Sequence, residues 1–308
     1  MPDASSSPAR VKLWGVRGSI PVPGPTTLHY GGNTTCVEFR ADGEIVILDA
    51  GTGIRALGAA LEEEFGGKPI NLSLLVTHMH WDHIQGFPFF GPCYHAKNHV
   101  LIMGYDGTNA SLRETFAGQM AAPFFPVQMQ SLPGRVEVAE IEKPNFELGR
   151  LKVHAHLMNH PGVCVGYRID CGSGSFAFMP DAEPYDGRVI HSPDGVVTSG
   201  KALRDRSKGK RAALIDFLRG VDLLIVDAQY TDDEYEEHVG WGHSSLSATL
   251  QLALDAGVKR LVLFHHDPTH DDAEMDRMAK MAQKFVTKSG SDLKVVVARE
   301  GDEFQLGK

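Results

Sequence analysis

Apolar positions along this chain fall into short blocks rather than long runs. Residues 11–14, 35–40 and 45–48 are rich in β-branched side chains and are separated by turn formers such as Ala41-Asp42-Gly43, which predicts strands. Ile54, Leu57, Leu61 and Phe65 recur at helical spacing, predicting a helix over about residues 53–65 that Gly66-Gly67 stops. Residues 72–76 are continuously apolar over strand length, as in a strand covered on both faces. The pattern then starts again. Residues 151–156, 163–170 and 175–179 predict strands, and 222–226 and 260–264 predict buried ones. Residues 246–256 predict a helix ended by Gly257. Residues 271–287 predict another, with acidic side chains in the first turn where the helix dipole favours them. Two strand-rich halves, each closed by helices, predict an α/β fold of two packed sheets with helices outside.

Two stretches depart from this pattern. Residues 98–135, containing MAAPFFPVQM, exceed the usual connection length and predict a flap, or else an extra helix with packed aromatics; they also offer a homodimer contact. Residues 184–211 are polar and turn basic at RDRSKGKR, which predicts a solvated insertion, with a phosphate- or partner-binding arm as the alternative. Residues 1–10 read as a disordered tail and 11–308 as one domain.

Composition narrows the classes. The 308 residues carry 30 Lys and Arg against 39 Asp and Glu, a formal charge of −9 that argues against a broad nucleic-acid footprint. No apolar run reaches the ~18 to 20 residues of a membrane span, and the start of the chain has no signal-peptide core. Cys36, Cys93, Cys164 and Cys171 show no C-x-x-C spacing and read as reduced thiols of a cytoplasmic protein. Histidine is the oddity: there are 15, a surplus that points to metal or acid–base chemistry.

The strongest local signal is Thr77-His78-Met79-His80-Trp81-Asp82-His83, directly after the buried strand at 72–76. In extended backbone alternate side chains share a side, so His78 and His80 can meet one ion; Asp82 and His83, at the start of a helix, can face a second. Imidazole and carboxylate donors suit zinc, manganese or iron. Further candidates stand at strand ends, where loops present groups on a rigid base: His160 in Asn159-His160-Pro161-Gly162, Asp181 in Pro180-Asp181-Ala182-Glu183, and His265.

With these motifs in place the chain resembles the metallo-β-lactamase-fold hydrolase superfamily over nearly its whole length. The resemblance implies a four-layer αββα sandwich with a dinuclear metal site at one edge. It carries the ligand roles onto His78, His80 and His160 for one ion and Asp82, His83 and His265 for the other. Asp181 takes the place of the bridging carboxylate. Asp49 in LDAGTG matches a residue that orients ligands. Register favours His265 over its neighbour His266, leaving His266, Asp267 and His270 to orient ligands or face substrate. His154 and His156 alternate on a strand without a nearby carboxylate and read as structural.

The bridging position is an aspartate rather than the cysteine of antibiotic-degrading members, and the H-x-H-x-D-H core lacks the glutamate of redox diiron members. Gly240-Trp241-Gly242-His243-Ser244-Ser245 resembles the G-H-S-[ST] element of the phosphodiesterase branch, which includes ribonuclease Z and the phosphoribosyl cyclic phosphodiesterases. There the histidine serves near the scissile phosphate and an acidic residue, matched by Asp227, orients it. The helix that follows favours an anion at its start. The glycine-rich turns around Arg17 and Asn33 fit the same branch; they offer N–H groups to a phosphate or are simply tight turns, and Arg17 and Asn33 are candidate substrate contacts.

The expected activity is therefore dinuclear-metal-dependent hydrolysis of a small cyclic phosphodiester or cyclic nucleotide, with catalytic Asp82, His243 and Asp227. The ions lower the pKa of a nucleophilic water, and His243 protonates the leaving alkoxide. Competing readings are a ribonuclease Z-like nuclease, a thioester or lactone hydrolase on the same ions, and a non-enzymatic metal-bearing domain.

Overall fold

The computed structural model describes residues 8–107, 109–192, 195–199 and 201–307. Most of the expected tail, residues 1–7, lies outside the described residues. The first sheet is built from β1 (Arg10–Gly15), β2 (Cys36–Ala41), β3 (Glu44–Leu48), β4 (Asn71–Leu75), β5 (His99–Gly104) and β6 (Arg135–Glu140). The second takes β7 (Asn145–Leu148), β8 (Leu151–Leu157), β9 (Val165–Cys171) and β10 (Gly174–Met179). A small hairpin, β11 (Ile190–Ser192) and β12 (Gly195–Val197), intervenes before β13 (Leu223–Asp227), β14 (Arg260–Phe264) and β15 (Lys294–Val297) complete it. The chain then returns to the first sheet as β16 (Glu303–Gln305), antiparallel to β1. The strand orders are 16-1-2-3-4-5-6 and 15-14-13-10-9-8-7.

The two sheets face each other across a shared core. Val11, Leu13, Phe39 and Leu48 of one meet Tyr167, Phe176, Phe178 and Phe264 of the other, with Phe39 stacked on Phe176 at 5.4 Å. The helices are α1 (Ile54–Phe65), α2 (Trp81–Ile84), α3 (Leu112–Gln119), α4 (Lys201–Leu218), α5 (Asp232–His238), α6 (Leu246–Asp255) and α7 (Asp272–Ser289). The apolar stripe of α1 (Ile54, Leu57, Leu61) covers the outer face of the first sheet, while α4, α6 and α7 cover the second. This is the αββα sandwich the sequence led to.

Two expectations need correction. The segment 98–135 is not one flap: residues 99–104 are β5, next to the edge strand of the first sheet and paired in parallel with both β4 and β6. Only the excursion between β5 and β6 leaves the sheet, and it carries α3. Nor is the basic run a solvated loop. It lies in α4, which buries Leu203, Ser207, Leu214 and Leu218 on one face. The buried positions are spaced four, seven and four apart, but Ser207 interrupts the apolar stripe and Gly209 lowers helix propensity, so the periodicity is hidden in the sequence.

Strand direction decides where loops end up. β3 and β4 are parallel, as are β10, β13 and β14. β8 is antiparallel to β9 and β9 to β10, so β8 runs with β10. The segments after β3, β4, β8, β10, β13 and β14 therefore emerge from the same end of the sandwich. Ligands gather at such carboxyl ends in open α/β sheets.

Candidate metal centre

Those six segments bring Asp49, His78 to His83, His160, Asp181, Asp227 and His265 together. His78 Nε2 lies 3.0 Å and His160 Nε2 3.1 Å from His80 Nδ1. Asp181 Oδ2 is 3.6 Å from His78 Nε2 and 3.8 Å from His160 Nε2. On the other side Asp82 Oδ2 is 3.1 Å from both His83 Nε2 and His265 Nε2, and Asp181 Oδ1 is 3.2 Å from each of the same two nitrogens. Asp181 thus turns one oxygen to each group. The donor atoms of each set of four lie within 4.8 Å of one another. Spacings of this size are the edges of a coordination shell with bonds of about 2 Å.

Nearly every imidazole is aimed by a bond to its other nitrogen, as metal-facing histidines are. His83 Nδ1 meets Asp49 Oδ2 at 2.8 Å, His160 Nδ1 the Gly242 carbonyl at 2.9 Å, and His265 Nδ1 the Gln229 Oε1 at 2.9 Å. His78 Nδ1 lies 3.1 Å from Thr77 Oγ1, and Asp49 in turn accepts from the Thr77 N–H and hydroxyl, both at 2.8 Å. The backbone N–H of Ser19 donates to Asp82 Oδ2 at 2.8 Å.

The electrostatics ask for cations. Asp49, Asp82, Asp181 and Asp227 are buried, and among the described residues none pairs with Lys or Arg. A buried carboxylate without a counter-charge is costly. Burial holds His78 and His80 below the ordinary imidazole range and takes His160 down to about 3, leaving neutral lone pairs. At His83 burial works against charge, but Asp82, Asp181 and Asp49 surround it and push its pKa well up. His83 Nε2 and Asp181 Oδ1 have no hydrogen-bond partner among the described residues. Two divalent ions fit this donor set.

Residues 45–266, over two thirds of the chain, match the family model described as the beta-lactamase superfamily domain. The chain belongs to that superfamily. Its curated relatives include the ribonuclease Z of Agathobacter rectalis, 24% identical over 281 residues, 84% of this chain and 88% of that protein. Among solved structures the metallo-beta-lactamase fold protein YhfI from Bacillus subtilis aligns with a TM-score of 0.66 at 17% identity, covering 97% of this chain and all of that one. A diphosphatase from the PhnP family aligns at 0.62 and 18% identity, covering 97% and 98%. The metallo-β-lactamase fold of this hydrolase superfamily is thereby established, and its phosphodiesterase branch fits.

Within this superfamily member, His243 stands beside the cluster. Its Nδ1 is 2.8 Å from Asp227 Oδ2, and its ring stacks on His265 at 5.0 Å. Asp227 also accepts from the backbone N–H groups of Gln229 (2.9 Å), Ala182 (3.2 Å) and Ser244 (3.3 Å). So many donors fix the carboxylate, and it spends one oxygen on His243. Burial opposes charge on His243, but Asp227 outweighs it and the pKa rises to about 9.

Sequence reasoning missed Glu183. Fully enclosed, it accepts from Tyr235 Oη (2.9 Å), the Gly240 N–H (2.7 Å), the Gly242 N–H (3.1 Å) and His191 Nε2 (2.8 Å). It therefore pins the loop that carries His243. The signal was present in Pro180-Asp181-Ala182-Glu183, but a carboxylate two positions from a ligand candidate reads as solvated until its donors are in view.

Other candidates go elsewhere. Arg17 is fully buried and donates to the carbonyls of Gly31, Asp267 and His270, and Asn33 binds Glu300. Both brace the scaffold rather than line the centre. The glycine-rich turns spend their N–H groups internally, Gly18 on the His266 carbonyl and Gly31 on that of Thr27. His266 Nε2 meets the Ala298 carbonyl at 2.7 Å, and His270 Nε2 meets Glu234 at 2.9 Å. Asp267 receives the Gln229 amide at 3.1 Å, two bonds behind His265. His154 pairs with Asn145 and Asp170, and His156 stacks on Phe217.

Proposed function

We propose that the protein is a dinuclear-metal-dependent phosphodiesterase acting on a small cyclic phosphodiester or cyclic nucleotide. His78, His80, His160 and Asp181 would hold one divalent ion; Asp82, His83, His265 and Asp181 would hold the other. Zinc, manganese or iron bound there would supply Lewis acidity toward the phosphate oxygens and a water of lowered pKa. Asp181 sets the spacing of the two sites through its two oxygens. Asp49 and Gln229 hold His83 and His265 in the orientation that keeps Nε2 inward. His243 gives its proton to the leaving alkoxide, and Asp227 keeps the ring in the tautomer and charge state that can do so.

The Asp227–His243 pair carries this reading. A hydrolysis that needs no proton at the leaving group has no use for a buried imidazole held by a buried carboxylate against the cluster. A small substrate is favoured because the charge of −9 leaves little to hold a polyanion.

Chelated protein reloaded with zinc or with manganese tests the reading on a panel. The panel holds cyclic mononucleotides, cyclic dinucleotides, 1,2-cyclic phosphoribose, bis(p-nitrophenyl) phosphate and a thioester. Metal-dependent turnover of a small diester is expected. Turnover of the thioester alone would assign the centre to the other hydrolase class. The ribonuclease Z relatives favour a second reading, a tRNA-processing nuclease; precursor-tRNA binding that weakens steeply with salt would support it.

A further inference from the structure

Large apolar side chains are exposed beside the candidate centre. Trp81, 79% exposed, stands in sequence between His80 and Asp82; with Phe89 (58%) and Phe124 (79%) it lines a cavity of about 440 Å³. That volume lies within the ~300 to 1,000 Å³ of small-molecule sites. Met79 and Phe125 also line it, and Phe125 packs edge-on against Phe89 at 5.4 Å. Met79 and Trp81 alternate along the backbone with His78, His80 and Asp82, so cavity and centre share one stretch of chain. His80 is the exposed member of the donor set.

The lining chemistry is selective. Among the described residues, no charged side chain lines the cavity. Gln119, at the end of α3, does line it, and its amide nitrogen is buried without a hydrogen-bond partner among the described residues. A buried donor left unpaired is unfavourable, so a ligand that accepts from it is rewarded. Exposed aromatic faces gain most from a flat ring.

We propose that this cavity binds the nucleobase of a nucleoside phosphate substrate. The inference rests on the phosphodiesterase reading and narrows it to base-bearing substrates. Trp81, Phe89 and Phe124 supply stacking surface, the Gln119 amide donates to a ring nitrogen or carbonyl, and the phosphate's charge is left to the metal centre. An alkyl or acyl chain would fill the apolar space but leave the amide unpaired.

The test uses the full chain loaded with metal and measures binding directly. Adenosine 5′-monophosphate and ribose 5-phosphate are compared by calorimetry and by quenching of tryptophan emission. The base-bearing probe is expected to bind at least about tenfold more tightly, in line with base stacking on aromatic side chains. Trp81→Ala should abolish most of that preference and the quenching, Trp81→Phe should restore much of the preference, and Gln119→Leu should reduce it several-fold. Trp81 is exposed, so its variants should fold normally. Equal binding of the two probes, a preference that survives Trp81→Ala, or tighter binding of octyl phosphate than of the nucleotide would each overturn the proposal. The two readings fail separately. Diester turnover without base preference sinks the cavity assignment alone. Base preference without diester turnover sinks the phosphodiesterase reading alone.

Discussion

Three residues at the centre hold unusual backbone. Ser19, Asp49 and His265 have φ of 63°, 62° and 61°, in the left-handed region that non-glycine residues rarely adopt. Such a conformation costs on the order of 1 to 3 kcal/mol and persists where the surroundings over-determine it. Here each bends the chain just where a strand or turn must release a group toward the cluster. Two predictions belong to this scale. His243→Ala should keep its metal content yet lose about 10²- to 10⁴-fold in kcat on a diester with an alkyl leaving group. A nitrophenyl ester should suffer much less, because its leaving group needs no proton; equal loss on both would remove the acid role. In metal-stripped protein, NMR titration of His243 should place its pKa near 9, above the ordinary value of 6.5. The stability this ion pair contributes is then full below about pH 6.5 and is lost as pH rises through about 9. Asp227→Asn should bring the titration down and flatten that dependence.

At the scale of elements, the loop between α5 and α6 shows how the backbone serves the site. Gly242 has φ of 92°, its carbonyl receives His160 Nδ1, and a Cβ there would collide with the His160 ring and Pro161. Gly242→Ala should displace His160 and weaken the ion it faces about 10- to 100-fold. Metal analysis after dialysis at limiting metal should then find closer to one ion per chain than two; two tightly held ions would show that His160 is not a ligand. Local pattern made many elements legible. The strand at residues 72–76 and the helix at 54–65 follow from unbroken periodicity, and the H-x-H-x-D-H run follows from its place after that strand. Strands β5 and β16 were not legible, since each stands in a sheet through partners far along the chain: β4 and β6 for the six-residue β5, and Arg10–Lys12 of β1 for the three-residue β16. Helix α4 escaped because its buried face includes a serine.

The whole molecule raises the question of what neutralises its buried acids. Four carboxylates gather at one end of the sandwich without a Lys or Arg pair among the described residues, so stability should depend on metal. Ions at about 100 times their Kd stabilise by roughly 2.7 kcal/mol per site, which for a chain of this size is a Tm difference of several degrees or more. Chelated protein should melt correspondingly earlier in calorimetry and recover with zinc or manganese. An unchanged Tm after removal of bound metal would show that the cluster is stable without cations.

The sequence by itself determined the donor types, their order along the chain and the strands that end in them. Those depend on residue identity and on short-range periodicity, both visible in one dimension. Tertiary structure decided the rest. Asp181 faces both groups because parallel strands of two sheets end at one edge. His265 and not His266 turns inward because of a single left-handed residue. Glu183 becomes a hub because four donors from distant segments converge on it. Trp81, Phe89 and Phe124 form one cavity because α2 and the excursion after β5 meet beside the centre. Convergence of this kind is a property of packing, and no local pattern carries it.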